Sequence, residues 1–143
     1  MALADLNPRS TSKYLIAADL TGAEGTLLTI DIAATATAGV TVLKLATAAS
    51  DLPVGVVVVG AASDSGSYPG YATSCEIYDT LIGCFDGAIA GTGGVTAGAA
   101  VECDGSGTFI VATPSAGDYI VGYALTPAAA GEQFTIKFNV TKF

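Results

Sequence analysis

The chain has 143 residues and a formal charge of −8, with 51% hydrophobic residues, 13% charged residues and no histidine. That length suits one ordinary domain able to bury about two-thirds of its unfolded surface, so folding requires neither metal nor disulfides. Arg9, Lys13, Lys44, Lys137 and Lys142 are the only cations, which argues against nucleic acid as a partner, and no apolar run approaches the roughly 20 residues of a membrane helix.

Residues 1–14 read as a polar, proline-containing N-terminal arm distinct from a single domain over 15–143. The arm lacks a basic segment followed by an apolar one, so no secretory signal is expected and the chain is expected to be made in a cytosol. Extended, it could reach on the order of 45 Å, about three times the expected radius of gyration of the domain, far enough to touch a neighbouring subunit. Its candidate contact residues are Leu3, Leu6, Pro8, Arg9 and Tyr14.

From Thr26 onward the dominant period is two, the signature of half-buried strands. Leu28, Ile30 and Ile32 alternate with Thr29 and Asp31, and Leu43 and Leu45 flank Lys44. The run from Val54 to Val59 follows Pro53 and predicts a strand buried on both faces. Farther along, Tyr119, Val121, Tyr123 and Leu125 are expected on one bulky face, with Gly122 and Ala124 on a nearly flat one. The last strand is the plainest, with Phe134, Ile136, Phe138 and Val140 facing inward and Thr135, Lys137, Asn139 and Thr141 outward. Turn pairs such as Thr21-Gly22, Pro69-Gly70, Asp86-Gly87 and Asp104-Gly105 separate these runs. One helical turn is expected at Pro127 to Ala130 and no sustained helix elsewhere. The prediction is an all-β fold, a compact barrel or sandwich-like domain carrying the extended arm.

Chemistry is hard to build from this composition. Without histidine the usual general base, nucleophile activator and metal ligand are missing. Ser10-Thr11-Ser12-Lys13 matches a serine acyl-enzyme pattern but falls in the arm, with no helix to present the serine. Gly91 to Gly98 is glycine-rich but lacks the Gly-Lys-Ser/Thr ending of a phosphate loop and reads as a strand connection. Asp64-Ser65-Gly66 and Asp104 to Gly107 lack the spaced carboxylates of a calcium loop and read as turns. Glu76, Asp79, Asp86, Glu102 and Asp104 read as solvated surface. Neither an enzyme, a cofactor nor a metal site is expected.

Cys75, Cys84 and Cys103 match no zinc spacing and read as reduced and mostly structural. Cys75 and Cys84 would face each other only if the chain made a hairpin at Asp79-Thr80, a poor dipeptide for the turn. Tyr68 and Tyr71 bracket the Pro69-Gly70 turn, where they could form a contact hot spot or sugar-stacking platform, or cap the edge of the core.

The order Ala38-Gly39-Val40, Val54-Gly55-Val56-Val57, Asp64 to Gly66, Gly83 to Gly87, Val95 to Val101 and Val121-Gly122-Tyr123-Ala124-Leu125, closed by an alternating strand, resembles the small decoration, or cement, proteins of tailed bacteriophage heads. The resemblance runs from about Thr37 to Phe143, and the stretch from Tyr68 to Ser74 departs from it. It implies a β-tulip or barrel-like domain, a homotrimer at threefold or quasi-threefold sites on the outer capsid surface of the virion. Its implied partners are the major capsid protein and other copies of itself, and it implies no catalytic residues. Two further readings are a carbohydrate-binding module that stacks sugars on Tyr68, Tyr71 or Tyr78, and a fibre-type surface subunit.

Overall fold

The computed structural model describes residues 9–10, 15–16, 19–61, 75–80 and 83–143. In chain order the elements are β1 (Arg9–Ser10), β2 (Leu15–Ile16), β3 (Leu27–Ile30), α1 (Ile32–Ala38), β4 (Val42–Leu45), β5 (Gly55–Val59), β6 (Glu76–Asp79), β7 (Cys84–Ile89), β8 (Ala100–Cys103), β9 (Phe109–Val111), β10 (Tyr119–Ala124) and β11 (Gln133–Lys142). They form a six-stranded sheet in the order β1-β6-β5-β3-β4-β2 and a five-stranded sheet in the order β7-β11-β10-β8-β9. All pairings between these strands are antiparallel except that of β2 with β4. The all-β expectation holds.

The five-stranded sheet curls on itself. Ala90, just past β7, bridges Phe109 on β9 in parallel, and the Gly91 N–H donates to the Phe109 carbonyl at 2.6 Å. This joins the two outer strands at one end and blunts an edge that would otherwise offer unpaired backbone groups.

Successive residues of the central strands of the larger sheet enter different cores. Leu27 and Val56, which are register partners, face the smaller sheet and pack with Phe109, Phe134, Ile136 and Phe138. Leu28 and Val57 face the opposite way, into a second cluster with Ile16, Leu43, Cys75 and Ile77. A strand buried on both faces is what the apolar run from Val54 predicts, and Gly55, Val56 and Val57 satisfy it. β11 also follows expectation, with Phe134, Ile136 and Phe138 buried while Lys137 and Asn139 are exposed. Between the sheets, Phe109 meets Phe134 edge-on at 5.7 Å between ring centroids, a favoured aromatic geometry.

Gly25 fastens the two sheets to each other. Its N–H donates to the Val57 carbonyl at 2.8 Å, and its own carbonyl accepts from the Ile89 N–H at 3.1 Å. The residue sits at φ +84°, and a Cβ there would run into the Gly87 carbonyl and lie 2.7 Å from a methylene of Ile89. Only glycine combines that backbone conformation with so close an approach.

Three expectations are corrected. Ile32 does not continue the preceding strand but starts α1, because Asp31 caps the helix by accepting the Ala34 N–H at 3.0 Å and Gly39 ends it in the left-handed conformation. The Pro127 to Ala130 stretch forms no helix, since Ala128 exchanges hydrogen bonds with Val95 instead. A register shift between Ile120 and Gly122 interrupts the alternation of β10, so Val121 and Ala124 are buried whereas Tyr123 and Leu125 are exposed. The reading of the cysteines as reduced agrees with the fold, since β6 and β7 belong to different sheets and form no hairpin to bring Cys75 to Cys84. All three cysteines are free.

Phe109→Ala is expected to destabilise the domain by about 3–5 kcal/mol, lowering Tm by on the order of 10 °C. Gly25→Ala is expected to destabilise it too, and Tyr123→Ala to stay within about 0.5 kcal/mol of the parent protein. Thermal and urea unfolding of the three variants check this order.

Candidate functional site

Among the described residues a groove of about 380 Å³ opens where the two sheets meet. The end of β3 and the start of α1 form one wall, Lys44 contributes from β4, the Ser50–Leu52 loop forms another wall, and Tyr119 comes from the smaller sheet. Ile32 is 80% exposed and Leu52 43% exposed, so the groove carries large apolar side chains that the domain itself does not cover.

Local structure explains each position. Capping by Asp31 turns the chain sharply at the end of β3 and leaves Ile32 in the first turn of a helix with no buried residue. The Thr35 hydroxyl holds α1 against β4, accepting the Val42 N–H at 2.9 Å and donating to the Val42 carbonyl at 3.3 Å. Asp51 folds its own loop by accepting the Thr47 N–H at 2.9 Å and the Ala48 N–H at 3.2 Å. The Tyr119 N–H anchors that loop through the Ala49 carbonyl at 2.8 Å, and the Lys142 ammonium lies 5.6 Å from the centre of the Tyr119 ring.

Asp31 and Asp51 are half-buried and accept backbone N–H groups while Lys44 is exposed, so the groove carries three charged side chains beside its apolar ones. No group of three or more His, Cys, Asp or Glu side chains able to hold a metal ion occurs among the described residues.

The sequence-derived candidates fall largely elsewhere. Leu3, Leu6, Pro8, Tyr14, Tyr68 and Tyr71 lie outside the described residues, as do Thr11 to Lys13 and the Asp64-Ser65-Gly66 turn. Arg9 is placed by its backbone, in β1 opposite Tyr78 on the edge of the larger sheet. The partly buried ring of Tyr78 packs 5.4 Å from Phe85 and 5.8 Å from Phe138, between the sheets. Gly91 to Gly98 connects strands as expected.

Of the supposed surface carboxylates one is buried and another is partly buried. Glu102 on β8 is only 5% exposed, and its Oε2 has no hydrogen-bond partner. Asp104 closes the turn between β8 and β9. Its Oδ1 accepts from the backbone N–H groups of Ser106 at 2.8 Å and Thr108 at 3.2 Å, and Oδ2 accepts from the Thr108 hydroxyl. Partial burial pushes this carboxyl upward, but the hydrogen bonds from Thr108 and Ser106 outweigh it and hold the group below the usual carboxylate range. These bonds are those of a tight turn, as the sequence suggests. Neighbouring Cys103 is pushed up to about 12 by burial, with help from the Asp104 charge, and burial also raises Cys75.

The groove escaped sequence reasoning because its walls come from four separate stretches of chain. Its one legible signal was local, Asp31 and Gly39 bracketing seven residues as helix caps.

Fold and surface together define a two-sheet all-β domain with a groove at its seam that exposes Ile32 and Leu52. No protein-family model matches the chain, and no curated protein matches it in sequence. Among solved structures it is similar to the head fiber gp8.5 N base of bacteriophage phi29, with a TM-score of 0.62 and 16% identity. The match covers 90% of this chain and 92% of that one, so the two share a fold over nearly their whole lengths.

Asp104→Asn is expected to cost about 1–2 kcal/mol at neutral pH through weakened capping of the turn. Because the folded-state pKa lies below the unfolded one, this contribution is present above the ordinary carboxylate range and is lost as pH falls through the depressed value. Urea unfolding of both proteins from pH 7 to pH 3 should show the gap closing on the acid side. Thiol labelling should modify Cys84 in the native protein, and Cys75 and Cys103 only after unfolding.

Proposed function

We propose that this chain is a non-enzymatic structural protein of a phage head, seated on the outer capsid surface through protein contacts. The observation that carries the reading is the likeness in fold, over nearly the full length of both chains, to the base of a phage head fibre. The order of turns and strands that resembles capsid decoration proteins supports it from the sequence side, and so does a low charge content beside exposed Ile32 and Leu52. In this reading the chain works as a trimer bound to the major capsid protein, bridges adjacent capsid subunits and stabilises the shell.

A second reading takes its cue from the structural neighbour, the N base of a head fiber: this chain is then the base of a fibre and does not cement the lattice. The two differ in a measurable way. A cement protein raises the resistance of heads to heat or chelator when it binds, whereas a fibre base binds and leaves that resistance unchanged.

Either form relies on many moderate contacts made at once. An interface of ordinary size, about 800 Å² per partner, yields on the order of 12 kcal/mol of gross apolar stabilisation from each side, much of it offset by lost freedom on association. Repetition over several lattice subunits then supplies avidity.

Purified protein is expected to co-sediment saturably, at a fixed ratio to the major capsid protein, with heads prepared without it. Replacing Ile32 and Leu52 with Ser is expected to weaken binding about tenfold or more, as for loss of an interface anchor worth roughly 1.4 kcal/mol, with little change in folding. Deleting residues 1–13 is likewise expected to weaken binding and leave the domain folded. Unchanged binding of both variants would contradict the assigned contacts, and absence of binding by the parent protein would contradict the head reading.

A further inference from the structure

The outer face of the smaller sheet is built in two rows. Cys84, Lys137, Tyr123 and Ala100 stand level on β7, β11, β10 and β8. In the next row Asp86 is level with Thr135, whose carbonyl accepts the Leu125 N–H at 2.8 Å. These residues alternate along their strands with Phe85, Ile136 and Ala124, which pack in the core, so their side chains point away from the larger sheet. Tyr123 is 41% exposed and Leu125 48%, and Cys84, Lys137 and Asp86 are exposed beside them. Two large apolar side chains therefore stand on a solvent face that alternation ordinarily fills with polar residues.

Charge selects what covers this face. At −8 the chain repels a second copy of itself over most of its surface, yet the charges in these two rows are one cation, Lys137, and one anion, Asp86. The pair occupies one diagonal of the cell formed by Cys84, Lys137, Thr135 and Asp86. Asp86 accepts the Thr135 hydroxyl at 2.7 Å, and Lys137 has no ion pair among the described residues. A two-fold axis lying along the other diagonal, from Cys84 to Thr135, sets Lys137 of each copy against Asp86 of the other. The same axis brings Cys84 against Cys84 and leaves Leu125, one strand spacing from Thr135, beside it. A surface that carries both signs across such a diagonal is complementary to itself, the requirement of a two-fold contact.

We infer that the outer face of the smaller sheet is a two-fold contact between copies of this chain, with Leu125 and Tyr123 as its apolar part and the Lys137–Asp86 pairs as its polar part. Its few side chains fall short of the roughly 800 Å² per partner of a standard interface, so the contact is a weak one, in the micromolar range. Copies held side by side at high local concentration would populate it. The contact is separate from the threefold assembly proposed above, whose units it joins in pairs, and it does not depend on binding to a phage head.

The test follows pairwise association of the full chain, monomer to dimer or trimer to hexamer, by sedimentation equilibrium from about 1 to about 500 μM. Asp86→Lys and Lys137→Asp are each expected to weaken association about tenfold or more, and the double reversal to restore it, because the opposite charges meet again. Leu125→Ser is expected to weaken it about tenfold with thermal unfolding unchanged. A bis-maleimide spanning about 10 Å, the spacing of packed sheets, is expected to link Cys84 to Cys84 in the native parent and to do so less in Lys137→Asp. Should Asp86→Lys fail to fold, the cross-linking of the parent and of Leu125→Ser decides instead. A parent protein that does not associate in pairs up to about 500 μM would overturn the proposal, as would a double reversal that leaves association as weak as in the single variants.

Discussion

Everything else in the domain rests on packing the larger sheet from both sides. At Leu27-Leu28 and Val56-Val57 adjacent residues serve different cores, one shared with the aromatic interior of the smaller sheet and one closed by Ile16, Leu43, Cys75 and Ile77. A strand in that position tolerates no register slip, because a shift of one residue would send every side chain to the wrong core. The backbone bonds at Gly25 then fix how the second sheet sits on the first. With charged residues scarce, this apolar packing and the backbone ladders carry the stability, and the few carboxylates are spent on turns at Asp31, Asp51 and Asp104.

The seam set by that packing also makes the surface that the proposed function uses. The chain turns away from the sheet at Asp31, presents Ile32 on a short exposed helix, and meets the Ser50–Leu52 loop and Tyr119 across a groove. Such a site is suited to holding another protein by shape and apolar contact. The same economy governs the edges of the larger sheet, where two two-residue strands from the start of the chain cover what would otherwise be open backbone.

Much of the fold was legible wherever one residue pattern answered to one physical demand. The alternation in β11 and the apolar run of β5 each predicted a strand and its burial, since inward and outward positions along a strand are set by period two. Legibility failed where a local irregularity or a distant partner decided the outcome. An irregularity of register split the face expected in β10, and helix caps at Asp31 and Gly39 overrode an alternation that had extended the strand to Ile32. Tyr78 looked like an exposed aromatic because nothing nearby in sequence reveals that Phe85 and Phe138 enclose it. Glu102 looked solvated for a similar reason: its burial depends on the tertiary fold, and polarity alone placed it outside. The groove was illegible for the same cause, being assembled from stretches as far apart as Thr29 and Tyr119.

The most direct measurement is a pair of cryo-electron reconstructions of phage heads, one set lacking this chain and one saturated with it. A structural role on the head predicts difference density on the outer surface at symmetry-related sites, shaped to the two-sheet domain and touching the major capsid protein. Identical reconstructions, with the added protein remaining in solution, would contradict it.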